Sequence, residues 1–247
     1  MALRSLAGGS LFAEAIGVSS PLVLALHGWG RRGSDFTNSL VSIGALAVDL
    51  PGFGATPAPD EVLGARDYAE LLVPVLDEFE RPPLLVGHSF GGRVVVCLAS
   101  ARPDRVGPVL VTGAPLLRSR PSRKPPLAYR TARQLNKVGI LGNDLMERVK
   151  RNRGSADYRA ASGIMRDILV KVVNEEYVEE LESLDRPLSL LWGANDTEVP
   201  VDVAHRSAAI VNDAGGSAQV EVVEGVGHLL PLQAPDSLLA AVKRLMS

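Results

Sequence analysis

Short apolar runs recur along most of the chain, separated by polar or amphipathic stretches. Leu22-Val23-Leu24-Ala25-Leu26, Ile43 to Leu50, Leu84-Leu85-Val86, Val106 to Val111, Leu188 to Trp192 and Ala218 to Val223 are each bounded by Gly, Pro or charged residues. Most are apolar without alternation, which predicts strands buried on both faces. Between them lie helical patterns. From Tyr68 to Phe79, the residues Leu71, Leu72, Val75, Leu76 and Phe79 share one face at helical spacing, and the residues after Gly92 suit a helix as far as Ala101. Leu238 to Met246 predicts a closing helix. Buried strands alternating with helices predict an α/β fold, with a mostly parallel central sheet covered by helices on both faces. Function is then expected in the loops at the strand ends.

The rhythm breaks after Gly113. Pro115 to Pro126 is proline-rich and carries Arg118, Arg120, Arg123 and Lys124. Ala128 to Val138, Asp144 to Arg153 and Val170 to Leu181 then follow as helical patterns before the strands resume at Leu188. This predicts a core of residues 1–114 and 184–247, with residues 115–183 inserted as a helical cap. No internal repeat is present.

Composition narrows the function classes. With 247 residues, 46% of them hydrophobic, the chain can bury one large core. Its 26 Lys and Arg against 28 Asp and Glu give a net charge of -2, so no overall field recruits nucleic acid or an anionic membrane. The basic linker after Pro115 lacks interleaved aromatics and reads as a solvated hinge or a site rim. Residues Leu6 to Val18 are too polar for a secretory signal, and no apolar run approaches membrane-spanning length. A cytoplasmic protein acting on a small-molecule substrate is the expectation, with monomer and homo-oligomer both open. Cys97 is the single cysteine and lies in an apolar run, which reads as a buried thiol. The four histidines show no metal-ligand spacing and the glycines form no phosphate-binding signature. No cofactor or metal is implied.

The candidate chemistry begins at Gly87-His88-Ser89-Phe90-Gly91, a G-x-S-x-G pattern that follows a strand and precedes a helix. In that setting the serine sits at a sharp turn with its Oγ exposed, and the glycines let strand and helix approach. The alternative is a turn serine that only caps the helix. A serine hydroxyl needs a base to take its proton. Among the histidines, His228 in Gly227-His228 follows the last strand and is the best base. His88 points away from the serine on a tight turn, His27 shapes the first glycine loop, and His205 lies on a surface helix. The base in turn needs a carboxylate to hold it. Asp196 follows the strand Leu188 to Trp192, at the end where Ser89 is expected. Asp49 closes a strand before Pro51-Gly52-Phe53-Gly54, where it caps the turn, while Ser34 and Asp35 are placed as caps of the helix that follows. The backbone N–H groups of Phe90 and Trp29 form the natural pair for an oxyanion. Trp29 also reads as an aromatic at the base of a loop.

Taken together and in this order, His27-Gly28-Trp29-Gly30, Asp49-Leu50-Pro51-Gly52-Phe53-Gly54, Gly87 to Gly92, Trp192 to Asp196 and Gly227-His228 resemble the α/β-hydrolase superfamily, in particular its small capped members. The resemblance covers nearly the whole chain and implies a Ser89-Asp196-His228 triad with Trp29 and Phe90 as oxyanion donors. Serine at position 89 separates the chain from the members that use aspartate there. Ester hydrolysis needs the fewest additional features and stands first. The alternative is hydrolysis of the carbon–carbon bond of vinylogous diketone acids, in which cap residues such as Arg118, Arg120, Arg123, Lys124, Arg130 and Arg166 would meet a substrate carboxylate. A lactonase, a cofactor-free haloperoxidase-like enzyme and a non-catalytic binding protein of the same fold rank below both.

Overall fold

The computed structural model describes residues 2–17, 20–118 and 156–247. Eight strands form one sheet in the order β1-β2-β4-β3-β5-β6-β7-β8. β1 (Ala2–Leu6) and β2 (Leu11–Ile16) form an antiparallel hairpin, and β2 is antiparallel to β4 (Ala45–Asp49). β3 (Val23–Leu26), β4, β5 (Leu84–His88), β6 (Val109–Thr112), β7 (Leu188–Gly193) and β8 (Ala218–Val223) run parallel. Every residue of β3, β4, β5, β6 and β7 is buried, which is why these segments lack alternation. Among the parallel strands only β8, at one sheet edge, alternates and is partly exposed.

The described helices are α1 (Thr37–Leu40), α2 (Ala65–Leu72), α3 (Phe90–Ala101), α4 (Ala156–Ala160), α5 (Gly163–Val173), α6 (Val178–Glu182), α7 (Val201–Asp213), α8 (Leu230–Gln233) and α9 (Pro235–Met246). They divide between two apolar layers. Leu24 and Leu26 of β3 pack with α2, α3, α6 and α7 on one face, while Val23 and Ala25 pack with Phe36, Leu40, Leu238 and Val242 on the other. The helical insertion lies between β6 and β7, and its C-terminal helix α6 packs between α3 and α7. The helices expected over 128–138 and 144–153 lie outside the described residues.

Two local expectations change. The pattern from Tyr68 to Phe79 is not one helix, because Pro74 removes a backbone donor and the chain continues as a 3-10 turn over Val73–Glu78. Tyr68, Ala69, Leu72, Val75 and Leu76 are buried, whereas Leu71 is 43% exposed on the outer face. Likewise, Val170 to Leu181 is not continuous: α5 ends at Val173 and α6 begins at Val178.

β3 has β4 on one side and β5 on the other, so the chain switches direction across the sheet there. Loops leaving the carboxyl ends of β3 and β5 therefore diverge and leave a crevice. Ser89 lies at the mouth of that crevice.

Candidate active site

Ser89 has φ 50° and ψ −111°, a conformation costly for a residue with a side chain. The surrounding backbone holds it there. Its N–H donates to the Thr112 carbonyl at 2.9 Å, and its own carbonyl accepts from Gly92 N–H at 3.1 Å. The elbow also requires its glycines. A Cβ at position 87 would lie 2.6 Å from the Gly91 carbonyl oxygen, and one at 91 would run into the carbonyls of Leu26 and His27. Strand β5, helix α3 and the β3 loop meet too closely here for any side chain.

His228 follows β8, and its Nδ1–H donates to Asp196 Oδ2 at 2.9 Å. Asp196 follows β7, with its side chain almost wholly buried. Its Oδ1 accepts from the N–H groups of Glu198 and Val199 at 2.9 and 2.8 Å. Each carboxylate oxygen thus has a defined task, one fixing the loop and the other the imidazole. The two loops are tied directly, since Asn195 N–H donates to the Val226 carbonyl at 2.8 Å. Gly193 permits this approach, because a Cβ there would meet the carbonyls of Val226 and Gly227.

Burial disfavours the charged form of His228, but the hydrogen bond and negative charge of Asp196, followed by the charges of Glu198 and Asp157, outweigh it and raise its pKa above 6.5. His88 behaves oppositely. Completely enclosed, and with the His228 ring 4.9 Å away, it is pushed down to about 3 and stays neutral, donating from Nδ1 to the Thr112 carbonyl at 3.2 Å. His27 is also held neutral by burial; it donates from Nδ1 to the Gly28 carbonyl and accepts Leu50 N–H at Nε2. It thereby joins the ends of β3 and β4, as expected of a residue shaping the glycine loop.

Trp29, Ser89, Phe90 and His228 line one cavity of about 170 Å³, with Leu169 and Val172 of α5 among the facing residues. The N–H groups of Trp29 and Phe90 meet no acceptor among the described residues. The rings of Trp29 and Phe90 pack edge to face at 5.4 Å, fixing the two loops against each other. Among the described residues no hydrogen bond joins Ser89 Oγ to His228; instead Glu198 Oε2 lies 3.6 Å from His228 Nε2. Three further residues on the cavity wall, Arg93, Asp157 and Glu198, were not singled out from the sequence, because no local pattern separates them from surface charges.

The other expectations resolve simply. Asp49 receives Gly33 N–H and Ala55 N–H, each at 2.8 Å, and is a turn cap. His205 is exposed on α7. Ser34 and Asp35 do not cap α1: they lie inside a 3-10 turn, and Asp35 pairs with Arg31. Arg118 and Arg166 bind the carbonyls of Asn174 and Ala161, while Arg120, Arg123, Lys124 and Arg130 lie outside the described residues. No helix among the described residues is long and apolar enough to cross a membrane, and none of their His, Cys, Asp and Glu side chains group as a metal site.

The model of the Alpha/beta hydrolase family matches residues 22–242. A 2-hydroxy-6-oxononadienedioate/2-hydroxy-6-oxononatrienedioate hydrolase of Cupriavidus pinatubonensis is 29% identical, over 86% of this chain and 82% of its own length. Esterase Rv0045c of Mycobacterium tuberculosis is 25% identical over 95% of this chain and 86% of its own. Among solved structures, a meta-cleavage product hydrolase from Pseudomonas fluorescens superposes with a TM-score of 0.69 at 17% identity, covering 100% of this chain and 97% of that one.

Proposed function

Because the chain belongs to the alpha/beta hydrolase family, we propose that it is a serine hydrolase in which Ser89 is the nucleophile, His228 the base and Asp196 the carboxylate that orients it. The observation that carries this reading is the strained Ser89 facing the same cavity as a His228 whose other nitrogen is fixed by buried Asp196. Turned from Glu198 toward Ser89, His228 Nε2 takes the Oγ proton as Oγ adds to a carbonyl carbon. The oxyanion so formed meets the free N–H groups of Trp29 and Phe90. Collapse expels the leaving group, which takes its proton from His228, and water activated by the same imidazole frees the acyl group from Ser89. The cap bounds of 115–183 and a cytoplasmic location belong to this reading.

The relatives reverse the ranking of the two bond types. A 2-hydroxy-6-oxo-dienedioic acid contains no ester, so its hydrolysis breaks a carbon–carbon bond beside the ketone. A relative acting on such a diacid matches this chain at 29% identity, against 25% for the mycobacterial esterase. We therefore place carbon–carbon bond hydrolysis of a vinylogous diketone acid first and ester hydrolysis second. The carbon leaving group is a poor one unless conjugated to a second carbonyl, which the ketonised dienoic acid supplies.

Turnover of a 2-hydroxy-6-oxo-dienoate, followed by loss of its dienol absorbance, tests the assignment beside a series of p-nitrophenyl esters. The first reading expects kcat/KM for the dienoate to exceed that for every ester. Rapid ester cleavage with an unchanged dienoate spectrum moves the chain to the second.

A further inference from the structure

We propose that Arg93 forms an anion subsite in the Ser89 cavity, so that the substrate carries a carboxylate at the end facing helix α5. The inference rests on the reading of this cavity as the reaction site, and it assigns the subsite to helix α3 rather than to the arginine-rich segment of the insertion.

Arg93 lies one turn beyond Ser89 and lines the same cavity, yet it is only 7% exposed. Its Nη1 donates to the Val172 carbonyl at 2.7 Å, whereas Nε is buried and has no hydrogen-bond partner. A guanidinium keeps its charge under physiological conditions, and an unpaired buried charge is costly. The other buried ions here are provided for. Glu180 is paired with Arg66, Asp49 takes two backbone N–H groups, and Asp196 takes two N–H groups and His228.

Arg93 forms no ion pair among the described residues. The charge of Glu175 and the Tyr177 hydroxyl favour the guanidinium from nearby, but Glu175 makes no ion pair with it, its Oε2 accepting from Ala65 N–H at 3.0 Å and Tyr177 O–H at 2.9 Å. The Tyr177 ring, 5.9 Å from the guanidinium carbon, provides a face but no second charge. The two carboxylates on the cavity wall are associated with His228 and form no ion pair with Arg93: Glu198 lies 3.6 Å from His228 Nε2, and Asp157 interacts with the same imidazole. The negative side chains of the wall are thus associated with His228, and Arg93 brings a positive charge where α3 meets α5. A carboxylate of the substrate seated against the cavity-lining part of Arg93 would supply the missing counter-charge and place a carbonyl a few atoms away over Ser89.

The test is equilibrium binding to the Ser89→Ala protein, which needs no turnover. Calorimetric titration with 5-oxohexanoate and with its neutral counterpart 5-oxohexanamide should show the acid binding at least tenfold more tightly at low ionic strength. In the Ser89→Ala, Arg93→Met protein that preference should vanish. Arg93→Gln, which retains a donor for the Val172 carbonyl, should behave alike and serves if the methionine variant fails to fold. Equal affinity for the two ligands, a preference that survives loss of Arg93, or no measurable binding of either would overturn the proposal. Fluorophosphonate labelling of Ser89 in the Arg93 variants reports separately on the nucleophile, so a failure of the hydrolase reading is distinguishable from a failure of the subsite.

Discussion

Replacing Asp196 by Asn should disable the site while leaving the fold nearly intact, and the hydrogen bonds around the carboxylate say why. An asparagine keeps its Oδ1 on the N–H groups of Glu198 and Val199, because reversing the amide would set a donor against two donors. That reversal would forfeit two hydrogen bonds, each worth about 1–3 kcal/mol in a buried setting. The amide nitrogen is thus held toward His228, where Asp196 Oδ2 now accepts the Nδ1–H. Facing a donor, the imidazole must carry its proton on Nε2 instead, and it can no longer accept the proton of Ser89. A wrong tautomer of this kind costs about 10⁴ in kcat in a serine protease, which at 1.36 kcal/mol per decade is roughly 5 kcal/mol of barrier.

The assay is the second-order rate of fluorophosphonate addition to Ser89, followed by intact mass from pH 5 to 9. In the native protein the rate should rise with pH through a His228 pKa above 6.5, since only the neutral imidazole is a base. In Asp196→Asn, that inflection should move down, because burial then acts on His228 without its main counter-charge. Linkage gives a second signature. A histidine whose folded pKa is raised contributes stability that is fully present below its unfolded value near 6.5 and is lost as pH rises through the folded value. The native protein should therefore lose this increment as pH rises above 6.5 through the folded value, and the variant should not. A variant retaining more than about a tenth of the labelling rate, with the inflection unmoved, would refute the reasoning.

Two further substitutions probe the scaffold. Gly91→Ala inserts a methyl group against the Leu26 and His27 carbonyls and should destabilise by roughly 1–3 kcal/mol, with loss of Ser89 labelling as the elbow shifts; urea unfolding and intact mass measure the two effects. Trp192→Phe removes the Nε1–H that donates to the Val199 carbonyl at 2.8 Å, leaving a buried acceptor unpaired. A loss of about 1–3 kcal/mol in urea is expected, with labelling slowed less than in Asp196→Asn, because Val199 only braces the loop that presents Asp196.

Much of the fold was legible because burial on both faces leaves a signature that needs no partner to be read. Val23 to Leu26 and Leu188 to Trp192 are apolar or nearly so throughout, and each sits within the parallel sheet. The N-terminal hairpin was missed. Leu11 and Ala13 do face inward from β2, and Gly8-Gly9 carry the positive φ angles of the turn, so alternation with a glycine pair was the available signal. Pro74 equally marked the point where the pattern after Tyr68 leaves the α-helix.

At the candidate site, the strand-end positions of Ser89, Asp196 and His228 were legible because glycine contacts crowd the segments that carry or adjoin them, and glycines leave a trace in sequence. Arg93, Asp157 and Glu198 leave none. Arg93 is a charged residue in an otherwise apolar helix, and nothing in its neighbours tells whether it reaches solvent, a carboxylate or a cavity. That distinction arises only when α5 is laid over α3.

The reactivity of Ser89 is the most direct test of the site. Intact-protein mass after exposure to a small fluorophosphonate should increase by one adduct per chain in the native protein and remain unchanged in Ser89→Ala. A folded native protein that takes up no adduct, or a Ser89→Ala protein that takes it up equally, would contradict the assignment of Ser89 as nucleophile.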